Sequence, residues 1–206
     1  VNLDPEIVTN PETGQLDIAV NIGKARKNFV ERIEIVNNVR TKDSVVRREF
    51  ELVEGDAFNQ IKLDKSIRNI RNLGFFSDVK VRNLVGTSEE QTITELTVEE
   101  QSTGELSIGL GYSSLEQTSL AFGIDERNFL GTGRALSLSF ELSQKRSYFR
   151  FGVAEPYLFG RNLTSRAGVF NDKVKQDSVS ISKTGFNFGI GFEAAQDYYH
   201  NVGYEL

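Results

Sequence analysis

The chain has 206 residues, a formal net charge of −5, one histidine, and no cysteine, methionine or tryptophan. Without cysteine it has no disulfide scaffold, thiolate metal site or thiol nucleophile, and its acidic balance argues against a nucleic-acid partner. It starts at Val1 with no basic-flanked apolar leader, and we read it as a piece of a longer protein. No stretch approaches the ~20 apolar residues of a membrane-spanning helix, but a spanning β-strand needs only ~9–11 residues that are apolar at every second position.

The first hundred residues mix two periods. In QLDIAVNI, Leu16, Ile18, Val20 and Ile22 alternate on one face of a strand, and the preceding PETG reads as a hairpin turn. FVERIEIVNN predicts a second strand with Phe29, Ile33 and Ile35 on one face. TKDSVVRREFELVEG then changes to a helical period. Val46, Phe50 and Val53 fall at i, i+4 and i+7, with Thr41 or Asp43 as the starting cap and Gly55 after the end. NQIKLDKSIRNIRNLG carries another helical stripe, Leu63, Ile67 and Ile70, closed by Gly74 at a position that favours a left-handed backbone.

FFSDVKVRN and QTITELTVEE read as a strand pair joined by LVGTSEE. The order strand, helix, helix, strand, strand predicts an α+β unit in which two amphipathic helices cover a three-stranded sheet. Leu73, Gly74, Phe75 and Phe76 form its corner. After the glycine the chain turns from helix to strand, and the two phenylalanines fill the space where helix, turn and sheet meet.

Beyond residue 102 the helical period disappears. Leu106, Ile108, Leu110 and Tyr112 alternate with Ser107, Gly109 and Gly111. The same two-residue period runs through Leu120, Phe122 and Ile124, through Leu136, Leu138, Phe140 and Leu142, through Phe149, Phe151 and Val153, and through Phe186, Phe188, Ile190 and Phe192. Six or seven such strands are expected, the last reaching YHNVGYEL. A soluble antiparallel sheet and a transmembrane barrel share this pattern. Long strands, a very apolar face opposite a small or polar one, and the lack of a covering helical segment favour the barrel.

FVERIEIVNNVRTKDSVVRREFELVEG, LGFFSDVKV and VEEQSTGELSIGLGYSS, followed in order by DERNFLGTGR and EPYLFG, resemble the BamA family of outer-membrane protein assembly factors over nearly the whole chain. The resemblance implies that residues 1–26 end one POTRA domain and that 27–101 form a complete one, of order β-α-α-β-β. Residues 102–206 would then be the antiparallel first strands of an incomplete transmembrane β-barrel. Further POTRA domains, the later strands and the family's late loop signature lie outside this sequence. The implied activity is assembly and insertion of β-barrel proteins into the outer membrane of a Gram-negative bacterium, with the POTRA portion in the periplasm. No bond chemistry and no cofactor are implied. The implied partners are lipoprotein subunits of the assembly machine (BamD-like), unfolded outer-membrane clients and outer-membrane lipid.

The resemblance also assigns candidate residues. Glu49, with Arg47 and Arg48, matches an acidic position that docks the lipoprotein partner, where the plain reading is a solvated helix face. The strand Gly104–Ser114 matches the first barrel strand, which meets the last at a weak seam. Its backbone would pair with client strands through Gly104, Leu106, Ile108, Gly109, Leu110, Gly111 and Tyr112, with glycines keeping it pliable. Asn128, Gly131 and Gly133 read as a tight barrel turn, and neighbouring Asp125 and Arg127 as residues able to reach the POTRA domain. The glycine pairs in GLGY, GTGR and GIGF are not phosphate loops, because no helix follows them. His200 alone makes neither a metal site nor a triad. The rival readings are a two-partner-secretion export channel, an insertase of the translocation and assembly module, a soluble β-sandwich binding module and, last, an enzyme.

Overall fold

The computed structural model describes residues 3–9, 16–22, 27–114, 117–176, 179–195 and 198–206. Strands β1 (Leu3–Thr9) and β2 (Leu16–Ile22) pair antiparallel, Leu3 opposite Ile22 and Thr9 opposite Leu16. The expected PETG turn between them lies outside the described residues.

Residues 29–100 form the expected α+β unit: β3 (Phe29–Val36), α1 (Asp43–Arg47), α2 (Gln60–Asn72), β4 (Phe76–Val85) and β5 (Gln91–Glu100). The sheet order is β3-β5-β4, with β3 parallel and β4 antiparallel to the central β5. Alternate residues of β5, among them Thr94, Leu96 and Val98, are buried beneath the helices. From α2, Ile70 is fully buried against Leu96 and Val98 and Leu63 against Val30, Ile33 and Leu52, each contributing roughly 1.5–3 kcal/mol relative to exposure. Asn59 caps α2, its side-chain oxygen accepting the N–H groups of Ile61 and Lys62 at 2.9 and 3.2 Å. Gly74 has φ +68°. Phe75 and Phe76 meet edge to face at 6.3 Å in the buried cluster that also holds Val45, Val46, Ile70, Val79, Leu96 and Val98, which answers why bulky residues follow the helix stop.

Two details differ from the sequence pattern. A bulge between Val30 and Arg32 shifts the register of β3, so Val30 joins Ile33 inside while Phe29 is 39% exposed. Helix α1 has only 5 residues and ends at Arg47, so the stripe extrapolated to Val53 fails. Val45, Val46 and Leu52 are buried and Val53 is 64% exposed. Its cap position is Lys42, with no side-chain hydrogen bond, and Thr41 is buried for another purpose described below.

Seven strands follow: β6 (Gly104–Ser113), β7 (Gln117–Phe129), β8 (Arg134–Ser143), β9 (Arg146–Glu155), β10 (Leu163–Gln176), β11 (Val179–Ala195) and β12 (Tyr198–Glu205). Each pairs antiparallel with its sequence neighbours in one open sheet from β6 to β12. The sheet is not closed. An apolar row runs directly across it through Leu106, Ile124, Leu138, Phe151, Val169 and Phe186. On β6 that row is the end of the apolar band nearer the α+β unit, with Ile108, Leu110 and Tyr112 beyond it. On β11 the same row is the far end, and Phe188, Ile190 and Phe192 lie below it. The band therefore slants across the hydrogen-bonded rows, as it must when tilted strands cross a layer of fixed thickness.

Candidate functional site

The α+β unit and the sheet meet at a joint built around the β7–β8 turn. Asn128 is buried, and its Nδ2 donates to the Thr41 hydroxyl at 2.9 Å. Its Oδ1 accepts the Gly133 N–H at 2.8 Å, so one amide closes the turn and ties it to the neighbouring domain. The Lys42 N–H donates to the Gly131 carbonyl at 2.9 Å. Gly131 and Gly133 have φ of +69° and +71°. A Cβ on Gly131 would overlap the Arg40 carbonyl, and one on Gly133 would lie 2.6 Å from Arg48 Nη2. Only glycine satisfies both the left-handed backbone and the close approach.

Glu100 backs this contact from β5. Its carboxylate accepts the N–H groups of Arg40 and Thr41 at 2.9 and 2.6 Å. Burial pushes the carboxyl up, but the hydrogen bonds from Thr41 and Arg40 prevail and hold it below the usual carboxylate range.

A second contact involves Arg48 and Glu49. The Arg48 guanidinium lies 4.1 Å above the Tyr157 ring in the turn after β9, and its Nε is 3.6 Å from Glu49. The Glu49 side chain is only 12% exposed and hydrogen-bonds the Tyr157 hydroxyl. Burial raises the Glu49 carboxyl above its ordinary value, against the opposing pull of Arg48. Burial beside Glu49 raises the Tyr157 hydroxyl as well. Arg47 points the other way. It is exposed and paired with Asp43 at 2.8 Å and Glu54 at 3.2 Å. The structure thus places the three adjacent residues on two different surfaces, with Arg48 and Glu49 facing the sheet. A third contact is the link itself, where the Arg127 N–H donates to Thr103 at 3.2 Å. A Cβ on Gly74 would lie 3.1 Å from Arg127 Nη1, so Arg127 reaches the corner formed by Leu73–Phe76. Glu100 and Tyr157 were not singled out from sequence, and Thr41 only as a helix cap. Their roles depend on contacts between residues as far apart as Thr41 and Asn128 or Arg48 and Tyr157, for which no local pattern exists.

The other candidate is β6. It pairs only with β7, Gly104 opposite Glu126 through Ser113 opposite Gln117, and all ten residues are exposed. Leu106, Ile108, Leu110 and Tyr112 share the apolar face at 63%, 68%, 80% and 81% exposure. Gly109 and Gly111 lie on the opposite face, beside Ala121 and Ser119. Its outer backbone edge, like that of β12, carries no strand among the described residues.

Two family models match the chain. The POTRA model (surface antigen variable number repeat) matches residues 29–101, and the Omp85 superfamily domain matches 128–206. The outer membrane protein assembly factor BamA of Neorickettsia risticii is 30% identical over 210 residues, covering 100% of this chain and 28% of the relative. BamA of Nitratidesulfovibrio vulgaris is 33% identical over 189 residues, covering 92% of this chain and 24% of the relative. The chain thus spans under a third of these relatives. The crystal structure of Haemophilus ducreyi BamA lacking POTRA domains 1–3 superposes with a TM-score of 0.81 at 23% identity, over 99% of this chain and 40% of that one. CdiB from Escherichia coli gives 0.51 at 14% identity, over 99% of this chain and 41% of that one, a likeness of fold. A POTRA domain leading into an Omp85 sheet, with BamA homologues along its whole length, places this chain in the POTRA-plus-barrel Omp85 superfamily.

Proposed function

We propose that the chain is the working centre of an outer-membrane β-barrel assembly factor, with residues 1–26 ending one POTRA domain, 27–101 forming the next and 102–206 starting the barrel. The protein belongs in the outer membrane, with the POTRA portion in the periplasm. The activity is assembly and insertion of client barrels by templating, with no covalent step and no cofactor. The observation that carries this is a POTRA unit running directly into an Omp85 sheet, with BamA relatives along the whole chain. Where the first barrel strand, β6, meets the last at a weak seam, its edge would offer N–H and C=O groups to an incoming strand, and satisfying them in lipid lowers the barrier to insertion.

The test is a tether. The chain has no cysteine, so a pair introduced into β6 and into the last strand of the full-length barrel forms a defined disulfide. Assembly of client barrels stops when the tether closes and resumes on reduction. Normal assembly with the tether closed would sink the proposal.

For the lipoprotein partner, we propose that Arg47 is read directly and that Arg48 and Glu49 set the domain's orientation for it. Glu49→Lys then loses the partner in pull-down from the full-length protein, and unchanged capture refutes the assignment. The export-channel reading retains one observation in its favour, the fold shared with CdiB. Depletion separates the two. General loss of unrelated outer-membrane barrels supports assembly, whereas retention of a single large secreted protein in the periplasm supports export.

A further inference from the structure

Strands β10 and β11 run well past the apolar band at the end remote from the POTRA domain. On the outer face of β10, Val169 is the last apolar residue, and Asn171, Lys173 and Lys175 continue that face. The row through Lys173 shows the change of environment directly. It begins as Leu110, Leu120 and Leu142 on β6, β7 and β8, and continues as Ser147, Lys173 and Ser182 on β9, β10 and β11. Because the band slants, the same row that is within the apolar layer at β6 lies above it at β10. Lys173 is four residues beyond Val169, about 13 Å along the strand and about 10 Å in height at a barrel tilt. That is the depth of the headgroups. Lys175 is one step higher, and its N–H donates to the Lys145 carbonyl at 2.7 Å, which sets Lys145 beside it.

Charge is sorted between the two faces at this level. On the inner face Arg146 and Asp172 form a two-pronged ion pair, both contacts at 3.1 Å, and Lys183 lies opposite Asp172. On the outer face Lys145, Lys173 and Lys175 are exposed and form no ion pair with a carboxylate among the described residues. Their strand neighbours are the hydroxyls of Ser147, Ser180 and Ser182. Three ammonium groups amid hydroxyls, paired with no carboxylate among the described residues, at headgroup depth and on a lipid-facing wall, suit the phosphate of a lipid in the outer leaflet.

We propose that Lys145, Lys173 and Lys175 form a binding site for the phosphate groups of the outer-leaflet glycolipid, holding the β10–β11 wall against it. The site lies on the far side of the membrane from the POTRA joint and on a different strand pair from the β6 edge, so it goes beyond the assembly reading. It rests on the membrane placement of the sheet.

The experiment uses the full-length protein in detergent, with bis-phosphorylated lipid A as the probe and native mass spectrometry as the readout. The comparison is with a variant carrying Lys145→Gln, Lys173→Gln and Lys175→Gln, all exposed positions whose change leaves the strand pairing intact. The wild type retains lipid A, and the triple variant retains it at least about tenfold more weakly, since each lysine beside an anionic headgroup adds to the attraction. Dephosphorylated lipid A is retained by neither. Equal retention by wild type and variant overturns the proposal, and so does retention of dephosphorylated lipid A by the wild type. Equal retention of phosphatidylglycerol and lipid A overturns the outer-leaflet assignment. A wild type that stays folded and soluble without detergent shows instead that the membrane placement fails.

Discussion

The Asn128 amide reaches across 87 positions to the Thr41 hydroxyl, and both side chains are buried. One hydrogen bond thus joins a barrel turn to the segment that leads into the first POTRA helix. Replacing Asn128 with Ala leaves the Gly133 N–H without its partner and the Thr41 hydroxyl with Glu100 alone, and a buried polar group left unsatisfied costs about 1–3 kcal/mol. The expected outcome is faster hydrogen exchange at the Lys42 amide, which donates to Gly131, with the helix α2 amides unchanged. Uniform loss of protection throughout the POTRA domain would show a folding defect instead.

Two glycines with nearly the same backbone separate strain from close approach. Gly131 and Gly160 have φ of +69° and +71°. A Cβ on Gly131 collides with the Arg40 backbone, whereas one on Gly160 meets nothing within 4 Å. Gly160→Ala therefore pays only the left-handed cost of roughly 1–2 kcal/mol. Gly131→Ala carries the same cost and also forces the turn off the POTRA domain. Exchange at Lys42 rises in the second variant and not in the first.

The Arg48–Tyr157 stack sets an order among variants. Tyr157→Phe keeps the ring 4.1 Å from the guanidinium and loses only the hydrogen bond to Glu49, about 1 kcal/mol. Tyr157→Ala removes the ring too, adding roughly 1–2 kcal/mol for a partly desolvated cation–π contact. Protease sensitivity of the POTRA–barrel link, measured on the full-length protein, follows the order wild type, Phe, Ala.

Two half-buried carboxyls give the joint opposite pH slopes. Glu49 is raised by burial, so the docked form holds its proton more tightly. Its contribution to docking is complete below the ordinary carboxylate value and is lost as pH rises through the raised one. Glu100 is lowered, because its hydrogen bonds outweigh burial. Its contribution is present above the ordinary value and is lost as pH falls through the lowered one. Lys42 exchange against pH reads both. Glu49→Gln flattens the loss on the alkaline side and Glu100→Gln the loss on the acid side. A Glu49→Gln variant with the wild-type slope would show that another group titrates there.

The sequence carried the repeating parts of the fold well. Period two marked five of the seven sheet strands because lipid demands an apolar residue at every second position there. Strand β10 was missed because its outer face is Ser165, Ala167, Val169, Asn171 and Lys173, which climbs out of the apolar layer halfway along. The corner of Leu73–Phe76 was legible because a glycine stop and two core aromatics are adjacent in sequence. The orientation of Arg48 and Glu49 was not, because α1 stops after 5 residues and the following turn swings them toward Tyr157. A heptad-like stripe cannot report a helix that ends inside it. The β3 bulge defeated the simple alternation in the same way, by inserting one residue where the pattern assumes none.

A body held at one point pivots, and at two it swings about the line between them. Held at three points on a curved rim, it does neither. The POTRA domain meets the sheet at the covalent link before β6, at the β7–β8 turn and at Tyr157 beyond β9. It is therefore a crank and not a pendulum. Displacement of the domain is delivered as shear between β6 and β9.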